Sequence, residues 1–192
     1  MTDPTPPQSD HLGRQAHGFR YSPFYCEENA WWLCDEPEIR AGNAEVLFVF
    51  NNIGYCPFAE QQAAPPGQFI WWDYHVVVLD ASKRIWDLDT RLGLPVPVQS
   101  WLSGTFPFAD RLAPDLEPRF RLLASTDYRR NFASDRTHMR KPDGRWRSPP
   151  PPWPPIGSGM NLQCYCDPTT QGPGTLLDWA ALQRRVCGKP ER

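Results

Sequence analysis

The residue types best suited to chemistry in this chain are Cys26, Asp73, His75, Asp87 and Asp89. Residues 71–79 (WWDYHVVVL) are rich in aromatic and β-branched side chains and read as a strand. Side chains alternate across a strand, so Asp73, His75, Val77 and Leu79 fall on one face. Residues 80–83 (DASK) form a polar break, after which 84–90 (RIWDLDT) alternates again, and the two segments together predict a β-hairpin. Two registers are open. A loop of Asp80 to Ser82 sets His75 opposite Asp87; a connection one residue longer, centred on Ser82, sets Asp89 there instead. Either brings a carboxylate to the imidazole, which fixes the ring's tautomer and leaves its other nitrogen free as a base.

Such a base needs a nucleophile. From Cys26 onward the chain reads as a helix, with Cys26, Ala30, Leu33 and Cys34 on one stripe. Glu27 and Glu28 suit a helix N-terminus and place Cys26 in the first turn. The unpaired N–H groups there stabilise a thiolate and lower a cysteine pKa by about one to several units. A protonated His75 nearby lowers it further. Cys34 sits deeper on the helix and reads as core, and Cys56 stands in a loop before a proline. Of the four histidines, His11 and His17 lie near the N-terminus, and His138, beside Asp135 and Arg136, reads as a loop-stabilising group. The order Cys…His…Asp is that of cysteine hydrolases.

The elements that must hold these groups belong to one domain of ordinary size, with residues 1–20 as a polar tail and 21–192 as the folded unit. A net charge of −2 argues against a nucleic-acid or anionic-membrane surface. No apolar run is long enough to span a bilayer, and nothing suggests export, so a cytoplasmic monomer is the expectation. The six cysteines show no zinc-type spacing and read as reduced, mostly buried thiols; no metal or cofactor is expected. Proline, 23 of 192 residues, is far above its usual share of about 5%. Nine tryptophans and ten phenylalanines nevertheless supply a packed core, so the prolines stiffen loops.

The helix from Cys26 is followed by a strand at 45–50, the hairpin, a short helix near 98–102, a strand at 119–124 and a short helix at 127–133. Residues 148–155 (SPPPPWPP) are extended, a surface wrap anchored by Trp153. Thr175 is expected to cap a final helix that buries Leu176, Trp179, Leu182 and Val186. This mixture predicts an α+β fold.

Five blocks then carry a resemblance: YCEEN at 25–29, WDYHV at 72–76, DLDT at 87–90, NFASDR at 131–136 and the proline run at 149–152. In this order they resemble the protein N-terminal glutamine amidohydrolases, a family named for its WDYHV motif. The likeness runs from about Tyr21 to the C-terminal helix and loosens after Met160. It implies a papain- or transglutaminase-like cysteine hydrolase fold, an antiparallel sheet packed against an N-terminal helix that carries the nucleophile. Carried over by motif, the triad is Cys26, His75 and Asp87, the first aspartate of DLDT. That choice selects the shorter of the two hairpin loops.

The implied reaction turns an N-terminal glutamine into glutamate through a cysteine thioester, releasing ammonia, with the product feeding an N-degron route. The implied partners are proteins or peptides with a free N-terminal glutamine. A buried ammonium needs acceptors, so Asp73, Glu27 and Glu28 are the candidates for the α-amine, Asp73 foremost. Trp72 completes the candidate substrate-binding set. Two other functions compete: transglutaminase or thiol protease chemistry at internal sites, and a non-enzymatic module presenting aromatics and polyproline.

Overall fold

The structure, a computed structural model, describes residues 18–168 and 172–188. In chain order the α-helices are α1 (Cys26–Leu33), α2 (Pro37–Arg40), α3 (Val98–Thr105), α4 (Ser125–Asn131), α5 (Gln163–Cys166) and α6 (Trp179–Cys187). The strands are β1 (Glu45–Phe50), β2 (Cys56–Phe58), β3 (Ile70–Trp72), β4 (Tyr74–Leu79), β5 (Arg84–Trp86), β6 (Val96–Pro97), β7 (Arg119–Ala124) and β8 (Thr175–Leu177). Six of them form one antiparallel sheet in the order β6-β5-β4-β1-β7-β8, and β2 pairs with β3 separately. The α+β expectation holds.

β1 lies at the centre, between β4 and β7, and its residues from Val46 to Phe50 are all buried. Covering both faces of a sheet requires apolar residues at successive positions, which is why EVLFVF does not alternate. Val46, Phe48, Val76 and Val78 face one core with Ala30, Leu33 and Cys34 of α1. Leu47, Val49, Val77 and Leu79 face a second core with Trp101 and Leu102 of α3 and Leu182 and Val186 of α6. The predicted stripe of α1 is thus the face it packs on the sheet.

Four expectations need correction. The strand read over residues 71–79 is broken at Asp73, a bend between β3 and β4, so Asp73 does not continue the face of His75. The β4–β5 hairpin takes the longer connection, pairing Leu79 with Ile85 and Val78 with Trp86. Lys83 adopts a left-handed φ of 59° there, and Asp80 closes the turn through bonds between its backbone N–H and Arg84 O (2.9 Å) and between Lys83 N–H and its own carbonyl (3.0 Å). Thr175 begins a strand, not a helix. Leu176 pairs with Arg121, and Asp178 caps α6 by accepting the Ala181 N–H at 2.7 Å. Finally, the proposed tail ends early: Phe19 packs edge-on against Trp86 and the Arg20 guanidinium lies over the Trp32 ring. Tail residues 1–17 lie outside the described residues.

Candidate active site

A tight turn delivers the chain to α1. Tyr25 N–H bonds to Ser22 O, and Phe24 takes a φ of 66°, a conformation a bulky residue enters at a cost of about 1–2 kcal/mol. The side chain of buried Asn29 grips the turn from within the helix. Its Oδ1 accepts the Ser22 N–H at 2.8 Å and its Nδ2 donates to Ser22 O at 2.9 Å. No side chain caps α1, so its first turn keeps the N–H groups and positive dipole end free, and Cys26 is its first residue.

Across the sheet, His75 on β4 is buried and its Nε2 lies 2.9 Å from Asp87 Oδ1. The two reach each other although the register would set Asp89 opposite, because pairing stops at Trp86 and the chain turns over residues 87–89. Asp87 Oδ1 also accepts the Asp89 N–H at 3.0 Å. Its Oδ2 accepts Trp101 Nε1–H at 2.9 Å and Gln61 Nε2–H at 3.3 Å. Burial alone would lift the Asp87 carboxyl. The charge and hydrogen bond of His75, with Trp101 and the Asp89 N–H, override it and hold the pKa below the ordinary value. Burial likewise works against a charged His75, but Asp87 raises its pKa above the ordinary value, helped by Asp89 and Glu27. Nδ1 is left as the ring's open nitrogen. The rings of Phe58 (5.5 Å) and Trp72 (4.8 Å) fix the imidazole plane.

Cys26 and His75 line the same cavity, of about 780 Å³, with Tyr21, Phe24, Trp72 and Asp89. The Val76 backbone N–H donates to Cys26 Sγ, and the thiol approaches Glu27 Oε2 at 3.8 Å. Contrary to the sequence expectation, the thiol pKa is raised: burial outweighs the helix terminus, and the carboxylates of Glu27 and Asp89 push the same way. Burial thus favours the protonated form of Cys26.

The four substrate-binding candidates separate. Trp72 and Asp73 line the cavity, Asp73 as an exposed carboxylate at its edge. Glu28 is committed elsewhere: fully buried, it takes a bidentate bond from Arg136 (2.6 and 2.8 Å) and another from Trp153 Nε1 (2.6 Å). It is a structural residue, because the same Arg136 reaches the carbonyls of Pro151 and Trp153 and ties the proline run to α1. Glu27, also fully buried, accepts the Tyr74 hydroxyl at 3.1 Å and lies 3.4 Å from His138 Nε2. His138, read from sequence as a loop residue, thus lines the cavity as well. Neither Trp101 and Gln61 behind Asp87 nor Tyr21 in the cavity wall gave a signal in the sequence, since their roles depend on contacts far along the chain.

Among the described residues, His75, Asp87 and Asp89 are the one close group of metal-type donors. Four hydrogen-bond donors already fill the oxygens of Asp87, so the group serves a His–Asp pair better than a cation. Cys34 and Cys56 are buried thiols as expected, whereas Cys164 is exposed.

Comparison with known proteins identifies the chain as a hydrolase acting on amides. The profile of a family described as N-terminal glutamine amidase matches residues 21–186. Proteins called protein N-terminal glutamine amidohydrolase are similar to it. The one from Homo sapiens is 39% identical over 76% of each chain, and the one from Drosophila melanogaster is 35% identical over 95% of each. The one from Arabidopsis thaliana is 32% identical over 77% of this chain and 73% of its own. The chain belongs to the N-terminal glutamine amidase family.

Proposed function

We propose that this protein hydrolyses the side-chain amide of an N-terminal glutamine in proteins or peptides, through a thioester on Cys26. The observation that carries the reading is that a cysteine at an uncapped helix N-terminus and a histidine held by a buried aspartate line one cavity. Nucleophile on the first helix, then histidine on a strand and aspartate just past the end of the next strand, is the order expected of a papain- or transglutaminase-like hydrolase.

In the reaction, His75 Nδ1 takes the Cys26 thiol proton as Sγ attacks the amide carbon. The oxygen of the tetrahedral intermediate is stabilised by the free N–H at Cys26 and the α1 dipole. A donor of this kind is typically worth about 3–4 kcal/mol. The C–N bond breaks as the imidazolium gives its proton to the nitrogen, which leaves as ammonia. Water then attacks the thioester with His75 as base, the Sγ–C bond breaks, and the thiol is re-formed with glutamate as product. Asp87 orients the ring and stabilises its cationic form throughout. Proton transfer of this kind contributes about 10²–10⁴-fold.

Asparagine is one methylene shorter than glutamine. Its lost apolar contact costs only about 1–3 kcal/mol, but it also draws the amide carbon away from Cys26, and misalignment costs more. Mass spectrometry of peptides beginning with glutamine, asparagine or acetylated glutamine, beside one with internal glutamine, tests the reading. Conversion of the free N-terminal glutamine alone is expected. Equal conversion of the internal residue would move the protein to transglutaminase-like chemistry.

A further inference from the structure

We propose that Asp89, braced by Tyr21, receives the α-ammonium of the substrate and so restricts the reaction to a chain terminus. The assignment rests on the glutamine-hydrolysing reading above. Asp89 is only 6% exposed, yet it lines the cavity shared by Cys26 and His75. One of its oxygens, Oδ1, accepts the Tyr21 hydroxyl at 2.6 Å, while Oδ2 has no hydrogen-bond partner among the described residues. That oxygen is not fully enclosed, and its residue lines the cavity. A carboxylate this deeply placed normally has its charge paired or all its acceptors filled. Asp89 has neither.

The distances suit the substrate. An oxygen of Asp89 and a ring nitrogen of His75 lie within 4.8 Å of each other. In glutamine four bonds separate the α-nitrogen from the side-chain amide carbon, a span of at most about 5 Å. An ammonium on Asp89 therefore leaves the amide carbon within reach of His75, in the cavity that Cys26 also lines.

The other acidic groups are less suited. Glu28 is saturated by Arg136 and Trp153. Glu27 is enclosed among Tyr74, His138 and the Cys26 thiol. Asp73 is exposed at the cavity edge, where water screens a charge pair and leaves little discrimination. Burial lifts the Asp89 pKa to about 6; the charge of His75 opposes that rise and Asp87 adds to it, so a bound ammonium would bring a counter-charge of its own. The Tyr21 hydroxyl is held as a donor by its burial and by Asp89 itself.

The test compares kcat/KM for a peptide beginning with glutamine and for its des-amino analogue, which lacks only the α-amino group. Wild type, Asp89→Asn and Tyr21→Phe are measured, with thermal unfolding to establish that each is folded. Wild type should strongly prefer the free amine. In Asp89→Asn that preference should shrink about tenfold or more, chiefly through KM for the amine-bearing peptide, and Tyr21→Phe should give a smaller loss of the same sign. A purely structural Asp89 would depress both substrates equally and leave the preference intact, which overturns the assignment while the reaction stands. Wild type that converts neither peptide overturns the glutamine-hydrolysing reading and this assignment with it.

Discussion

His75 Nε2 and Asp87 Oδ1 lie 2.9 Å apart with both side chains out of contact with solvent, and each shifts the other's proton affinity toward the charged pair. Replacing Asp87 by Asn keeps the shape and removes the charge that fixes the ring. We expect kcat to fall about 10²–10⁴-fold, with KM changed little. Steady-state kinetics on a glutamine-initiated peptide checks this. A loss confined to KM would assign Asp87 to substrate binding instead.

The acid limb of the pH profile follows from the direction of the His75 shift. Activity needs His75 free to take the thiol proton, so kcat/KM should rise through a pKa above the ordinary 6.5. In Asp87→Asn only the weaker pull of Asp89 and Glu27 still opposes burial, and the limb should move to lower pH. A limb at the same pH in both proteins would separate it from this pair.

Stability carries the same signature. The raised His75 pKa contributes stability that is complete below 6.5 and lost as pH rises through the raised value. The depressed Asp87 pKa contributes stability present above 3.8 and lost as pH falls through the depressed value. The difference in Tm between wild type and Asp87→Asn should therefore be widest between 3.8 and 6.5 and narrow on both sides. A pH-independent difference would mean that packing alone is responsible.

Arg136 and Glu28 form a nearly solvent-free ion pair that also anchors the proline run. Arg136→Met leaves the carboxylate without its main partner, and removing one member of such a pair costs about 3–5 kcal/mol. Urea unfolding should show that loss. Unchanged stability would argue that Trp153 Nε1 alone satisfies Glu28.

Asn29 closes two hydrogen bonds on Ser22 and so sets how the chain enters α1 at Cys26. Asn29→Ala leaves the Ser22 N–H unpaired, at about 1–3 kcal/mol, while Ser22 O keeps its bond from the Tyr25 N–H. It should lower kcat by loosening the position of the nucleophile. Full kcat in a destabilised variant would confine Asn29 to folding.

Much of this site was legible before the fold was known. Glu27 and Glu28 mark a helix start, and α1 begins at Cys26. The alternation on either side of Asp80 revealed a hairpin that brings a carboxylate to His75. What the pattern concealed is where pairing ends. The ladder takes the register that favours Asp89, yet it stops at Trp86, and the turn beyond supplies Asp87. Hydrophobic period likewise ran through Asp73, because aromatic residues on both sides continue the alternation across the bend. Glu28 was read as helix-start electrostatics because Arg136 lies 108 positions away, and only tertiary structure joins them. The thiol expectation reversed for a similar reason: the helix terminus is local, whereas burial and the approach of Asp89 belong to the folded cavity.

The chemistry at Cys26 is tested most directly by acid-quenched intact-protein mass spectrometry during turnover of a glutamine-initiated peptide. The mechanism requires an adduct equal to the peptide less ammonia, mapped to Cys26 and absent from Cys26→Ala, which should also be inactive. Undiminished turnover by Cys26→Ala, with no adduct on the wild type, would contradict it.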